Sequence, residues 1–213
     1  MEASFWHKKW ESNQIGFHAN QPNHLLVKYI DQLNLKNGSR VFIPLCGKTL
    51  DIAWLLSKGY KVSGAELSEM AIQQLFKALK LTPEITNIGT LIHYHTENID
   101  LFVGDIFNLS PDILGSVDAV FDRAALVALP IELRKQYTAH LTTLTANAPQ
   151  LLICFEYDQS EMNGPPFSIV SSEVKQHYAA DYDVTLLDSP SLEGGLKGRL
   201  EATETLWLLA RKT

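Results

Sequence analysis

The chain has 213 residues, of which 46% are hydrophobic and 20% are charged, a composition typical of an ordinary globular protein. Its length suits one domain, and apolar residues recur throughout, which excludes extended disorder. The formal net charge of −6 argues against a nucleic-acid or anionic-membrane partner, because an acidic surface repels phosphates.

Three further features concern location. The two cysteines, Cys46 and Cys154, lie inside apolar stretches, which indicates a reducing compartment and no disulfide framework. The first residues lack the apolar core of a secretory signal, and no apolar run is long enough to span a membrane. We therefore expect a cytoplasmic protein without membrane contact, and a monomer by default.

Alternating strands and helices are predicted from residue 40 onward. In chain order they are strand Arg40–Pro44, helix Leu50–Ser57, strand Lys61–Ala65, helix Glu69–Leu79 with Ser68 as its N-cap, strands Ile99–Val103 and Ala119–Phe121, helix Pro130–Leu144, strand Leu151–Phe155, helix Ser171–Tyr178, and strands Tyr182–Leu187 and Glu204–Leu209.

The central strands are continuous apolar runs, which is typical of strands covered by helices on both faces. The pattern predicts an α/β fold with a doubly wound sheet of about seven strands, mostly parallel, and an antiparallel hairpin at its C-terminal edge. We expect a single domain over residues 1–213, with an N-terminal helix and aromatic lid in residues 1–38 and the sheet core in residues 39–213.

Ligands of such sheets bind beyond the carboxyl ends of the strands. The turn after the first strand, Pro44–Thr49, matches neither G-x-G-x-x-G nor the phosphate loop G-x-x-x-x-G-K-[ST], since Phe42 stands where the latter needs its first glycine. This argues against a nucleoside-triphosphatase and against a nicotinamide-dependent oxidoreductase. Gly47 still allows a tight turn and a close approach of the backbone to a ligand.

Acidic and basic side chains follow three later strands. Glu66 lies about 20 residues after the turn, where an acid can accept hydrogen bonds from ribose hydroxyls, although a helix-capping role explains it equally well. Asp105 either approaches an adenine amino group or is a turn residue. Arg123 either binds a carboxylate or pairs locally with Asp122 or another surface acid.

Histidines offer a weaker pattern. His93 and His95 share one face if their segment is a strand and could bind a metal, but we expect no nearby cysteine or carboxylate to complete a site. We therefore expect no metal. A nucleophile elbow of the form G-x-S-x-G is absent from the sequence, and Cys154 is expected in the core.

Aromatic residues are concentrated ahead of the first strand. Trp10 and Phe17 could stack on a flat heterocycle or shelter a sulfonium, whereas the alternative is that they staple the N-terminal helix to the domain.

Several segments together resemble the bacterial thiopurine S-methyltransferase family. They are F-W-x-x-K-W-x-x-N-x-x-G-F-H from Phe5, V-F-I-P-L-C-G-K-T-L-D from Val41, G-A-E-L-S-E from Gly64, F-D-R-A-A-L-V-A-L from Phe121, and E-Y-D-x-x-x-M-x-G-P-P-F from Glu156. The resemblance extends from Phe5 to the end of the chain. It implies a class I, Rossmann-like methyltransferase fold and S-adenosyl-L-methionine as cofactor.

The resemblance also implies roles for individual residues. Trp10 and Leu45 would contact the methionine part of the cofactor, Glu66 the ribose hydroxyls, and Asp105 the adenine, where the backbone N–H is expected to matter more than the side chain. Arg123 would lie beside the cofactor and reach the substrate as the catalytic residue. Phe17 would line the substrate pocket, Pro165 and Pro166 would shape its rim, and either Lys197 or Arg199 would face the substrate.

The implied activity is methyl transfer to a small aromatic or heterocyclic thiol such as a thiopurine, with no nucleic-acid partner. Two alternatives stay open at this point. One is a protein that binds an adenosyl ligand without catalysis, and the other is a methyltransferase for a different chalcogen or small-molecule nucleophile.

Overall fold

The computed structural model describes residues 3–16 and 18–212. Within it the chain forms two compact units, Met1–Ala119 and Val120–Thr213. No helix among the described residues is both long and apolar enough to cross a membrane.

The first unit contains five helices and five strands among its described residues. They are α1 (Ala3–Glu11), α2 (His24–Tyr29), β1 (Arg40–Ile43), α3 (Leu50–Ser57), β2 (Lys61–Glu66), α4 (Glu69–Leu79), β3 (Glu84–Ile88), β4 (Leu91–Thr96), β5 (Ile99–Val103) and α5 (Pro111–Leu114).

The strands of this unit are ordered β3-β4-β5-β2-β1. Strands β1, β2 and β5 run parallel, and β3 and β4 join antiparallel beside β5. Glu66 pairs with Val103, so the carboxyl ends of β2 and β5 lie side by side. The segments that follow these strands therefore meet at one edge of the sheet.

Capping residues fix where the helices beside this edge begin. The Thr49 hydroxyl accepts a hydrogen bond from the Asp51 N–H at the start of α3, and the Ser68 hydroxyl accepts one from the Ala71 N–H at the start of α4. Such caps stabilise a helix by about 1 kcal/mol, because they satisfy an N–H that has no partner within the helix. The apolar face of α4 is buried and includes Ala71, Ile72, Leu75 and Phe76.

The second unit contains β6 (Ala119–Arg123), α6 (Ile131–Leu144), β7 (Gln150–Glu156), α7 (Ser171–Tyr178), β8 (Tyr182–Asp188) and β9 (Thr203–Arg211). Its strands are ordered β6-β7-β9-β8. Strands β6 and β7 are parallel, whereas β9 is antiparallel to both β7 and β8. The predicted antiparallel hairpin at the C-terminus is confirmed.

Most predicted elements are confirmed, with small changes at their ends. Helices α3 and α7 and strand β5 have the predicted bounds. Strand β6 continues two residues past its predicted end at Phe121, because the carboxyl group of Asp122 is buried with hydrogen-bond partners and does not terminate the strand.

The predicted number of strands, about seven, is too low, since the described residues form nine. The two missing from the prediction are β3 and β4. Strand β3 is almost entirely exposed and carries Glu84, Thr86 and Asn87, so it shows no apolar run. Strand β4 contains His93 and His95, and its buried and partly buried residues do not alternate along the strand as they would in a strand with one buried face.

A buried acid in the second unit links β6 to α6. Both oxygens of the fully buried Asp122 carboxyl accept hydrogen bonds, from the Tyr137 hydroxyl at 2.6 Å and from the Leu126 N–H at 3.2 Å. Burial raises the pKa of Asp122 from 3.8 to about 6, although these hydrogen bonds oppose the shift. The Tyr137 hydroxyl and the Leu126 N–H are thus partners of this carboxyl group inside the second unit.

This raised pKa predicts a specific pH dependence of stability. Between about pH 4 and pH 6 the folded protein holds a proton on Asp122 that the unfolded chain releases, so the contribution of Asp122 to stability falls as the pH rises through that window. Asp122→Asn removes this contribution. The free energy of unfolding of the wild type minus that of Asp122→Asn should therefore fall with pH, by up to about 1.4 kcal/mol per pH unit.

Denaturant unfolding at several pH values between 4 and 7 measures this difference. Asp183→Asn, at an exposed position on β8, is the matched control for replacement of an aspartate by an asparagine. Tyr137→Phe removes a hydrogen bond that lowers the pKa and should move the window to higher pH. A difference that does not change with pH would contradict the raised pKa.

Candidate functional site

The loop after β1 and the end of β2 are joined in the first unit by one buried carboxylate. Oε2 of Glu66 accepts a hydrogen bond from the Gly47 N–H at 2.8 Å, and Oε1 accepts one from the Ser68 N–H at 2.8 Å. Glu66 is only 6% exposed. The carboxylate thus binds two backbone segments that come from different parts of the chain.

This geometry is relevant to both roles considered for Glu66 in the sequence analysis, ribose binding and helix capping. Its hydrogen bond with the Ser68 N–H lies at the start of α4, as expected of an acid near a helix N-terminus. An ionised carboxylate offers about four acceptor positions, and the backbone N–H groups of Gly47, Ser68 and Leu67 take three of them. The carboxylate therefore retains capacity for one further donor such as a hydroxyl.

Burial raises the pKa of the Glu66 carboxyl above its ordinary value, although hydrogen bonds from the Ser68, Gly47 and Leu67 N–H groups oppose this. Burial and the neighbouring Glu66 also raise the pKa of the Cys46 thiol well above its ordinary value. Cys46 is therefore a neutral packing group. Burial likewise raises the pKa of Cys154, which lies in the core as predicted.

The turn between β1 and α3 has an unusual backbone. Leu45 has φ of 46° and Gly47 has φ of 54°, both in the left-handed region. For a side chain such as that of Leu45 this conformation is strained and costs on the order of 1–3 kcal/mol, and such strain is concentrated at functional sites. The Cys46 N–H donates to the Ala65 carbonyl at 2.9 Å, which holds the turn against the end of β2.

Trp10 of α1 packs directly on this turn. A Cβ added at Gly47 would lie 3.1 Å from Cζ2 of Trp10, so a side chain at position 47 would require the indole to shift by a few tenths of an ångström. Trp10 is 5% exposed, and the Lys48 ammonium lies 5.9 Å from the centre of its ring. Trp10 of the N-terminal aromatic segment therefore contacts the turn that follows β1.

A cavity of about 400 Å³ opens beside this contact. Its lining combines α1 residues with the ends of β2, β4 and β5, and includes His7, Trp10, Glu11, Leu67, Ser68, Thr90, Ile92, Val103 and Gly104. The volume lies within the usual range for small-molecule sites, and the mixture of apolar walls with a few polar groups is typical of them.

Several of these cavity residues were missed in the sequence analysis. Leu67 immediately follows the predicted Glu66 and could have been found from that position alone. Ile92 lies on β4, a strand that was not predicted, and Val103 was read only as the end of a strand. Gly104 has φ of 140°, a conformation that strains any other residue, and an added Cβ would lie 2.7 Å from Cδ2 of Leu91, which would have to move.

Asp105 lies next to the cavity residue Gly104, but its side chain is used locally. It is exposed, and Oδ1 accepts a hydrogen bond from the Phe107 N–H at 3.0 Å, capping the short helical turn Ile106–Asn108. The turn-residue alternative of the sequence analysis thus describes its carboxylate. Phe17, predicted in the substrate pocket, lies outside the described residues.

Arg123 belongs to the second unit, where it ends β6 and is partly buried. The following residue, Ala124, has φ of 63°, so the chain turns sharply there. The Leu126 N–H donates to Asp122, which ties the turn back to the strand. The backbone around Arg123 is thereby fixed from one side by a buried hydrogen bond.

The G-P-P-F segment packs on the chain that follows this turn. The Phe167 N–H donates to the Val127 carbonyl at 2.7 Å, and the guanidinium of Arg134 lies 5.1 Å from the centre of the Phe167 ring. The Tyr157 hydroxyl donates to the Pro166 carbonyl at 2.6 Å. Segments from three parts of the second unit therefore meet around residues 164–167.

Lys197 is attached to the same segment. Its ammonium donates to the Pro165 carbonyl at 2.9 Å, and the loop that carries it packs Leu196 and Leu200 against Tyr157. Arg199 is exposed on the same loop. Of the two basic residues that the sequence left as alternatives, Lys197 is the one in contact with the proline segment.

One statement of the sequence analysis is wrong. A carboxylate does complete the His93 and His95 pair, because Asp100 on β5 pairs with His95 on β4 and its Oδ1 lies 2.9 Å from Nε2 of His93 and 2.8 Å from Nδ1 of His95. The antiparallel pairing of β4 and β5 was not predicted, so the proximity of these residues was not visible in the sequence.

The first unit therefore assembles Trp10, the Leu45–Gly47 turn and Glu66 at one edge of its sheet, and these groups fit S-adenosyl-L-methionine. A buried carboxylate with acceptor capacity suits a ribose diol, and the apolar walls Leu67 and Val103 suit a purine. When bound, this cofactor supplies an electrophilic methyl group on a sulfonium.

Comparison with known proteins identifies the family of the chain. Residues 1–211 match the family described as thiopurine S-methyltransferase. A thiopurine S-methyltransferase of Xanthobacter autotrophicus is 53% identical over 212 residues, which cover 99% of this chain and 100% of that protein. A thiopurine S-methyltransferase of Acinetobacter baylyi is 46% identical over 216 residues and covers both chains completely.

Solved structures share the fold at much lower identity. The chain is similar to a 1,6-didemethyltoxoflavin-N1-methyltransferase of Burkholderia thailandensis with bound S-adenosylhomocysteine, with a TM-score of 0.66, 16% identity, and coverage of 98% of this chain and 87% of that one. It is also similar to a SAM-dependent methyltransferase of Anabaena variabilis, with a TM-score of 0.64, 14% identity, and coverage of 99% and 95%. The fold is thus the predicted class I methyltransferase fold, and the chain belongs to the thiopurine S-methyltransferase family of S-adenosyl-L-methionine-dependent methyltransferases.

Proposed function

We propose that the chain transfers the methyl group of S-adenosyl-L-methionine to the sulfur of small aromatic or heterocyclic thiols, with thiopurines among them. The observation that carries this proposal is the agreement of relatives 40–53% identical to the chain, including those of Xanthobacter, Gluconobacter and Psychrobacter, in the name thiopurine S-methyltransferase. The site geometry in the first unit supports the cofactor part of the proposal independently of those names.

Glu66 binds the ribose in this proposal. Its two oxygens are fixed by the Gly47 and Ser68 N–H groups, so the carboxylate is oriented before the cofactor arrives and loses little freedom on binding. Trp10 and Leu45 bind the methionine part, for which the Trp10 indole offers a face suited to a sulfonium. Asp105 contributes through its backbone N–H, because its carboxylate already caps a turn.

The reaction balances as a direct displacement. A new bond forms between the thiolate sulfur and the methyl carbon while the bond between that carbon and the sulfonium sulfur breaks, which yields a thioether and S-adenosyl-L-homocysteine. Aromatic thiols ionise more readily than ordinary thiols, so no strong general base is required. The contribution of the protein is then to hold the nucleophile, the methyl group and the leaving sulfur in line.

Arg123 favours the thiolate in this scheme, since a guanidinium is always charged and stabilises an anionic sulfur, directly or through water. Its position at the end of β6, followed by a turn that Asp122 holds, supports a fixed direction for the side chain. We assign Phe17, Pro165, Pro166 and Lys197 to the substrate pocket, and the hydrogen bond between Lys197 and Pro165 supports grouping the last three.

Activity is tested by incubating the purified chain with S-adenosyl-L-methionine and 6-mercaptopurine and detecting the S-methylated product by mass spectrometry. Product is expected from the wild type and from Asp105→Asn.

Glu66→Gln should lower the rate at least about 10-fold, because it removes a charge-assisted acceptor and turns an amide NH₂ toward the Gly47 or Ser68 N–H. Melting temperatures establish that both variants are folded. Absence of product from folded wild type would contradict the proposed substrate class, and a fully active Glu66→Gln would contradict the role of Glu66.

Replacement of Arg123 tests the substrate end of the site. Arg123→Ala should lower kcat/KM for the thiol by about 10-fold or more at saturating S-adenosyl-L-methionine, as expected for loss of one charge-assisted contact. Arg123→Lys keeps the charge without the planar fork and should retain part of the activity. Steady-state kinetics measure both variants, and an unchanged kcat/KM in Arg123→Ala would remove this residue from the substrate site.

A further inference from the structure

A second cluster of chemically reactive side chains lies in the first unit, on strands β4 and β5. His93 and His95 are two residues apart on β4, so their side chains project from the same face, and the strand register places Asp100 opposite His95 and Phe102 opposite His93. The cluster plays no part in the cofactor site described above.

The three polar groups converge on a single point. Oδ1 of Asp100 lies 2.9 Å from Nε2 of His93 and 2.8 Å from Nδ1 of His95, and the three candidate ligand atoms all lie within 4.8 Å of one another. The His93 ring stacks on Phe102 at 4.6 Å between centroids with an interplanar angle of 7°, which fixes its orientation. The His95 side chain is 44% exposed, so the cluster is open to an ion from solvent.

Arg40 orients the carboxylate from its other side. Its Nη2 donates to Oδ2 of Asp100 at 2.9 Å, while Nη1 donates to the carbonyls of Leu114 and Ser116. The guanidinium is therefore held by backbone carbonyls and donates to Oδ2 of Asp100, whereas Oδ1 faces His93 and His95. Outer-shell hydrogen bonds of this kind hold the ligands of many metal sites in place.

The cluster is separated from the cofactor site along the strands. Asp100 pairs with Ser63, three residues before Glu66 on the parallel strand β2, which corresponds to roughly 10 Å at the usual rise per residue. The two sites therefore lie toward opposite ends of the same strands.

We infer that His93, His95 and Asp100 form a binding site for a divalent transition-metal ion, with Zn²⁺ the ion of choice. Two imidazole nitrogens and one carboxylate oxygen are ligands that Zn²⁺ prefers, and solvent water supplies the remaining positions. Mg²⁺ and Ca²⁺ favour sites made of oxygen ligands and do not fit this set.

Binding of the ion requires both histidine nitrogens to move away from Oδ1 of Asp100. Ligand atoms about 2.1 Å from a tetrahedral Zn²⁺ lie roughly 3.4 Å apart, so each separation between a histidine nitrogen and Oδ1 widens by roughly half an ångström. Each imidazole that donates to Asp100 releases that proton and takes one up at its other ring nitrogen, which leaves the neutral ring with a lone pair facing the ion. The ion would link β4 to β5 and stabilise this part of the sheet.

Isothermal titration of the chain, free of affinity tags and treated with a chelator, with Zn²⁺ tests the site. One ion per chain is expected, and His95→Ala should lower the affinity at least about 10-fold, since loss of even an outer-shell partner has an effect of that size. His24→Ala removes an exposed histidine on α2 and is the matched control that should bind as the wild type does. His93→Phe removes a ligand while keeping the ring stack on Phe102 and should also weaken binding.

Thermal unfolding gives a second readout that does not depend on methyl transfer. Zn²⁺ should raise the melting temperature of the wild type and of His24→Ala but not that of His95→Ala. Binding that is absent from the wild type, or equally strong in His95→Ala, would overturn the inference and leave the three residues as a hydrogen-bonded cluster only.

Discussion

The hydrogen bonds from the Gly47 and Ser68 N–H groups to the buried Glu66 carboxylate set the arrangement of the first unit's site. Gly47 belongs to the turn after β1, and Ser68 begins α4, so one side chain fixes the loop and the helix start relative to the end of β2. Burial of a carboxylate is unfavourable unless it is hydrogen-bonded. The same two N–H groups that help satisfy Glu66 therefore also fix its orientation.

The turn after β1, which Glu66 holds through the Gly47 N–H, has a strained backbone. Leu45 adopts a left-handed conformation, and Gly47 permits a contact with Trp10 that a side chain would obstruct. Such features destabilise a fold locally, and they persist where neighbouring interactions determine the conformation. Here the Cys46 N–H, the Glu66 carboxylate and the Trp10 indole supply those interactions. The N-terminal helix is consequently part of the site in the first unit.

The sequence predicts the parts of this structure that depend on local pattern. Strand β5 and helices α3 and α7 follow directly from the local sequence pattern, and Glu66 is identified by its place at the end of β2. Strands β3 and β4 could not be predicted, because β3 is exposed and polar and β4 carries His93 and His95 at inner positions. The position of Asp100 beside these histidines depends on strand register, which no local pattern encodes. Arg123 is identified as a candidate by its place at a strand end. The contact of Lys197 with Pro165 is visible only in the structure.

The most direct test of the account is the binding of S-adenosyl-L-homocysteine and of its 2′,3′-dideoxy analogue to the wild type and to Glu66→Gln, measured by isothermal titration calorimetry. If Glu66 accepts hydrogen bonds from the ribose, removal of the hydroxyls should weaken binding to the wild type by at least about 10-fold and should change binding to Glu66→Gln much less. Equal losses in the two proteins, or equal binding of both ligands to the wild type, would contradict the central role given to this carboxylate.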